Sequence, residues 1–298
     1  MSARQADWED YVRTGRPRIF GVLNVTPDSF SDGGEHATVE AAVAHAHALI
    51  ADGADWIDVG GESTAPGRAP LTPEAEQERI ITVIRELAAA GVRLSVDTYH
   101  AATARAAVEA GALIVNDVYG SDPDMPAVLR ETEAEYILMH SFGAPTTPHD
   151  YGNVVAEVAE ELHRRVGALD AAGVDASRIV VDPGLGFSKQ PAENWALIND
   201  LDTLGVETGC RVLVGASRKR FVKALVGEDR HALDIATAVI GLTAADRGVW
   251  AVRVHDVQAM HAAFATRSEV GRWSGVNAVA GPMRGTSVTA LTRGGAPA

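Results

Sequence analysis

The chain has 298 residues, 46% of them apolar, which suffices for one large core and is too short for several ordinary domains. No apolar stretch of about eighteen residues occurs, so a membrane-spanning helix is excluded. A formal net charge of −14 argues against nucleic acid as a partner, and one cysteine, Cys210, cannot build a disulfide framework or a cysteine metal site, as befits a reducing cytoplasm.

Residues 1–17 are polar, patternless and without an apolar h-region; they are expected to form an N-terminal extension and not a secretory leader. From Arg18 to Thr266 short β-branched runs alternate with alanine-rich helical stretches. The first run, Ile19 to Asn24, leads into a polar loop that ends Gly33-Gly34; the second, Trp56 to Gly60, leads into the glycine-rich Gly60 to Arg68. Thr72-Pro73 reads as an N-cap followed by proline at the first helical position, with Ile80, Ile84 and Leu87 on one face and Gly91 as the stop. Runs follow at Leu94 to Asp97, Leu113 to Asp117 and Tyr136 to His140. Val155, Val158, Leu162, Val166 and Leu169 then make a helical stripe. The last runs are Ile179 to Asp182, Val212 to Gly215 and Trp250 to His255. Residues 267–298 are rich in Gly, Ala, Ser and Thr and are expected to be a disordered tail.

Eight such units make the expected fold a single (β/α)8 TIM barrel over residues 18–266. A doubly wound open sheet shares the alternation. Asn24, Asp58, Asp97, Asn116, Met139, Asp182, Gly215 and Arg253 sit at or near the ends of different runs, however, and only a closed barrel gathers those ends around one mouth.

Carboxylates at the mouth of an apolar barrel lose hydration and need donors. Asp97, Asn116 and Asp182 together therefore suit a ligand edge rich in N–H groups, such as a pterin or a purine. The plainer alternative is that each caps the helix after its strand. Ser217-Arg218-Lys219-Arg220 and Arg253-Val254-His255 form a basic corner after the seventh and eighth runs, where this fold commonly binds phosphate. The alternative there is a solvated basic turn. Zinc-ligand spacing, a nucleophile elbow and a Walker A loop are all missing from the sequence.

The ordered set Gly21-Val22-Leu23-Asn24-Val25-Thr26-Pro27-Asp28-Ser29-Phe30-Ser31-Asp32-Gly33-Gly34, Ile57-Asp58-Val59-Gly60-Gly61-Glu62-Ser63-Thr64, Ser95-Val96-Asp97-Thr98, Asn116-Asp117-Val118, Leu138-Met139-His140, Asp182-Pro183-Gly184-Leu185-Gly186-Phe187, Gly215-Ala216-Ser217-Arg218-Lys219 and Arg253-Val254-His255-Asp256-Val257 resembles dihydropteroate synthase of the bacterial, actinobacterial type. The resemblance implies a (β/α)8 barrel, a cytoplasmic homodimer and a place in folate biosynthesis as a sulfonamide target. The family joins 4-aminobenzoate to (7,8-dihydropterin-6-yl)methyl diphosphate with Mg2+. It implies that Asp97, Asn116 and Asp182 hold the pterin, helped by Asp58, Met139, Gly215, Lys219 and Arg253. Asn24, Arg68, Arg253 and His255 would engage the diphosphate, Asn24 also the metal, and Thr64, Pro66, Phe187 and Lys219 the aminobenzoate. The catalytic group would be Asp97, Asp182, Lys219, Arg253 and His255. The chain departs from the family at Ala65, where Arg is usual and Arg68 is the substitute at hand, at Ser141-Phe142-Gly143, and at Arg220, where many members have Ser. The rival readings are a pterin-dependent methyltransferase barrel, which needs no diphosphate corner, and a pterin-binding paralogue without turnover.

Overall fold

Side chains along a strand alternate between two faces, and in this chain the inner face changes character within two residues. Phe20, Trp56, Ile114, Ile137, Val180, Leu213, Trp250 and Ala251 form one buried apolar cluster. Two positions after six of them stand Val22, Asp58, Asn116, Met139, Asp182 and Gly215, and two after Ala251 stands Arg253. The first set is a plug; the second is the floor of a site.

The computed structural model describes residues 3–26, 34–62, 70–142 and 149–277. Its eight strands are β1 (Arg18–Asn24), β2 (Trp56–Gly60), β3 (Leu94–Asp97), β4 (Ile114–Asp117), β5 (Glu135–Met139), β6 (Ile179–Asp182), β7 (Arg211–Val214) and β8 (Ala251–Val254). They close in sequence order into a barrel, every pair parallel, with β8 returning to β1 through Phe20 opposite Arg253. The open sheet is thereby excluded. The plug's rings are in contact: Phe20 stacks on Trp56 at 5.7 Å and meets Trp250 edge-on at 5.6 Å. Burying each such side chain stabilises the fold by about 1.5–3 kcal/mol.

The helices are α1 (Ala3–Thr14), α2 (Gly34–Ala51), α3 (Pro73–Ala89), α4 (Ala101–Ala110), α5 (Met125–Glu131), α6 (Val154–Ala171), α7 (Pro191–Asn199), α8 (Leu201–Thr208), α9 (Arg220–Val226), α10 (Arg230–Asp246) and α11 (Val257–Asn277). α3 starts as its sequence requires: the Thr72 side chain accepts from Ala75 N, and Ile80, Val83, Ile84 and Leu87 are buried against the strands. Asn153 caps α6 in the same way, burying Val158, Leu162 and Val166. A second hydrophobic cluster, between strands and helices, holds these faces.

Both chain ends carry helix that the sequence pattern does not show. The patternless N-terminal stretch forms α1, which closes the base of the barrel. Tyr11 donates to Gly248 O at 2.8 Å and packs on the plug, while Asp10 pairs with buried Arg18 at 2.7 Å and Arg16 with Asp55. Single anchors of that kind leave no apolar stripe to read. At the other end α11 runs past Thr266 to Asn277, so the low-complexity stretch begins in helix; 278–298 lie outside the described residues. Among the described residues no helix is long and apolar enough to cross a membrane.

Candidate active site

The strand ends deliver their inward side chains to one cavity of about 470 Å3, counted to its open mouth. Asp97, Asn116, Met139, Asp182, Phe187, Gly215, Lys219, Arg253 and His255 all line it, together with Val118 and Ser217. The acids and the basic corner therefore face a shared space.

Arg253 organises one wall. Its Nε donates to Asp58 Oδ2 at 2.5 Å and its Nη2 to Asp97 Oδ2 at 2.6 Å. Asp58 is fully buried and also accepts from Asn116 Nδ2 at 3.1 Å. Asp58 thus sits one layer below the cavity and orients both Arg253 and Asn116; it is not among the lining residues. Burial pushes the Asp97 carboxyl up to about 7, although Arg253 opposes the rise. Arg253 stays a cation, held by its two carboxylates against the cost of burial.

On the far wall Asp182 accepts from Gly184 N at 2.7 Å, and burial raises its pKa while Lys219 opposes. Lys219 donates to Leu185 O and lies 4.5 Å over the Phe187 ring; burial brings its ammonium down to about 8, with Asp182 opposing. His255 Nδ1 lies 2.9 Å from Ser217 Oγ, which also accepts from His255 N. Burial lowers this imidazole to about 3, with Arg253 next in effect, so it is neutral at working pH. Ser217 donating to Nδ1 leaves Nε2–H as the free donor for an anion.

The basic turn contributes less than its composition suggests. Arg218 adopts φ +61° and turns to Asp234 at 3.4 Å and Arg220 is exposed, so of the turn's three cations Lys219 alone lines the described cavity, beside Ser217. Asn24 ends β1 half-buried, beside Gly60 and outside the cavity lining. Thr64, Pro66 and Arg68, with Ala65, lie outside the described residues, as does Gly143. Asp117, next to Asn116, points away from the mouth and accepts from Tyr136 Oη at 2.8 Å and from two backbone amides.

A family model described as pterin binding enzyme matches residues 20–255. The dihydropteroate synthase of Mycobacterium leprae is 47% identical over 268 residues, covering 86% of this chain and 93% of that protein. The chain belongs to the dihydropteroate synthases. The dihydropteroate synthase of Xanthomonas albilineans solved with 4-aminobenzoic acid superposes with a TM-score of 0.79 at 43% identity, covering 90% of this chain and 94% of its own. The same enzyme in complex with 7,8-dihydropteroate gives 0.77 at 41%, covering 90% and 95%. The synthase resemblance drawn from the motifs holds on these grounds, and its barrel is the one observed. Val118, an apolar residue just past a strand end, carries no chemical signal in the sequence; its place two after Asn116 on the inner face is what marks it.

The Asp97 carboxyl gives a pH prediction for a synthase of this geometry. As pH falls below about 7 it takes up a proton and loses its charge, so kcat/KM for the pterin substrate should fall on the acid side. The loss is not unfolding. Its folded pKa lies above the usual 3.8, so its own contribution to stability is greatest at low pH and fades as pH rises through about 7. Asp97→Asn should abolish this acid limb and weaken pterin binding by about 1–3 kcal/mol, whereas His255→Asn should retain the limb. A limb that disappears with His255 instead assigns the titration to the imidazole.

Proposed function

We propose that this chain condenses 4-aminobenzoate with (7,8-dihydropterin-6-yl)methyl diphosphate, giving 7,8-dihydropteroate and diphosphate. The observation that carries the reading is the cavity whose acceptors, Asp97, Asn116 and Asp182, face the donors Lys219, Arg253 and His255. A pterin presents an amide-rich donor edge to the first set, and a diphosphate at its 6-methylene falls to the second.

The chemistry follows from that polarity. As the methylene C–O bond breaks, electron density moves from the ring and diphosphate takes the bonding pair. Buried Asp97 and Asp182 favour the positive charge left on the pterin, and Arg253 with His255 Nε2–H stabilises the leaving anion. The amine nitrogen of 4-aminobenzoate forms the new C–N bond and gives up one proton. Phe187 and Lys219 wall the aminobenzoate side, and no protein nucleophile takes part.

A magnesium ion belongs to the same proposal. No group of three His, Cys, Asp or Glu among the described residues suits a metal cage, but the half-buried Asn24 amide at the end of β1 offers a single oxygen. That fits an ion which takes most of its ligands from phosphate oxygens and water. When bound, Mg2+ supplies charge stabilisation for the departing diphosphate. A homodimer and cytoplasmic residence complete the proposal.

Purified protein given both substrates and Mg2+ should release one diphosphate per dihydropteroate formed, measured by coupled phosphate detection and chromatography. Binding of the pterin diphosphate without release of diphosphate would leave a pterin-binding paralogue; methyl transfer instead would leave the methyltransferase.

A further inference from the structure

The mechanism leaves unused a polar cluster beneath the loop that follows β6. Ser188 adopts φ +54°, a left-handed conformation uncommon outside glycine, and so turns Lys189 back under its own loop. Lys189 Nζ lies 3.0 Å from His140 Nδ1, 3.2 Å from Gly184 O and 3.1 Å from Phe187 O. Burial lowers the Lys189 ammonium to about 7, with Asp182 opposing; in its charged form it has three hydrogens for these three acceptors. His140 can accept at Nδ1 because burial, with Lys189 and Arg165 beside it, keeps its imidazole neutral, near a pKa of about 2. Lys189 is absent from the cavity lining and so touches no substrate there.

Its partners nevertheless bracket the part of the loop that does. Gly184 and Phe187 flank Leu185, whose carbonyl accepts from Lys219, and Gly186, against which the Lys219 chain packs so closely that an added Cβ would lie 2.9 Å from Cδ. The Phe187 ring lies under the Lys219 ammonium. Fixing the two flanking carbonyls therefore fixes both side chains.

We propose that Lys189 is a positioning residue for 4-aminobenzoate. By tying the Gly184 and Phe187 carbonyls to His140, it sets the Phe187 ring and the Lys219 ammonium as the wall against which that substrate lies. The inference rests on the synthase reading. On the pterin side, Asp97 and Asn116 on β3 and β4 lie outside the pin's hydrogen bonds, and Asp182 meets the pinned loop only through Gly184 N–H and not through its pinned carbonyls.

The test is steady-state kinetics of the full chain, wild type against Lys189→Met, which fills the same space without donors. KM for 4-aminobenzoate should rise about tenfold or more, the scale of a lost charge-assisted hydrogen bond, while KM for the pterin diphosphate changes by less than about twofold. His140→Phe removes one acceptor, keeps the ring packing with Phe142 and Tyr151, and should raise the aminobenzoate KM about threefold. A fall in kcat with both KM values unchanged, or unchanged kinetics, overturns the proposal, because a merely structural lysine would only lower the active fraction. Should Lys189→Met fail to fold, His140→Phe decides alone, an unchanged aminobenzoate KM being the contrary result. Calorimetric binding of 4-aminobenzoate to protein preloaded with pterin and diphosphate gives the same comparison without turnover. An inactive wild type therefore counts against the synthase reading and not against the pin.

Discussion

Arg253→Ala will lower kcat/KM for the pterin diphosphate by about a thousandfold, the upper range for removing one preorganised donor from a developing anion. It will also cost stability, which the sequence alone did not suggest. Asp58 is fully buried and receives Arg253 Nε at 2.5 Å; without the guanidinium its remaining donor among the described residues is the Asn116 amide. Leaving a buried carboxylate uncompensated costs about 3–5 kcal/mol, toward the lower end here because Arg253 itself is 22% exposed. The two losses are separable. Arg253→Ala combined with Asp58→Asn should regain most of the stability, measured by urea unfolding, and none of the turnover. If the double variant stays as unstable as the single one, the Asp58 partnership is not what holds the arginine.

Gly184→Ala will have the largest effect on the fold for a single added methyl. Gly184 sits at φ +67°, and a Cβ there would stand 1.9 Å from His140 O, a backbone atom at the end of β5 that cannot step aside without moving the strand. The left-handed conformation alone costs about 1–2 kcal/mol for alanine, and displacing the strand end should bring the total to about 3 kcal/mol or more. Turnover should fall below about 1% of wild type, because the displaced loop carries Asp182's amide partner, the Lys219 acceptor and Phe187. Gly91→Ala is the control: φ is +79° but nothing lies within 4 Å, so only the backbone cost applies. Urea midpoints for the two variants compare the clash with the conformation, and similar midpoints would mean the loop yields more readily than its packing implies.

Most of the barrel was legible because its strands are short apolar runs that end in a polar residue. Ile114-Val115-Asn116 and Ile179-Val180-Val181-Asp182 show both the strand and its functional end in a few letters. Finer placement depends on the pleat. Asn116 faces the cavity and Asp117 the helices, and a one-residue shift in register would exchange them. Asp58 is on the inner face but a layer deeper, so its role is to orient other side chains, a distinction that only three-dimensional depth supplies. The basic turn misled because Arg218 and Lys219 are adjacent in sequence yet diverge through one left-handed residue. α1 was illegible for a different reason: its hold on the base comes from Tyr11 and ion pairs of Asp10 and Arg16, not from periodic apolar contacts.

The shared cavity is tested most directly by a crystal structure of the protein with the pterin diphosphate and Mg2+. The pterin's N–H edge should lie within hydrogen-bond distance of Asn116 and Asp182, with Asp97 beside the ring and the diphosphate against Arg253 and His255. A pterin bound elsewhere, or turned so that its diphosphate points toward Asp182 and away from Arg253, would contradict the division of this site into an acidic floor and a basic corner.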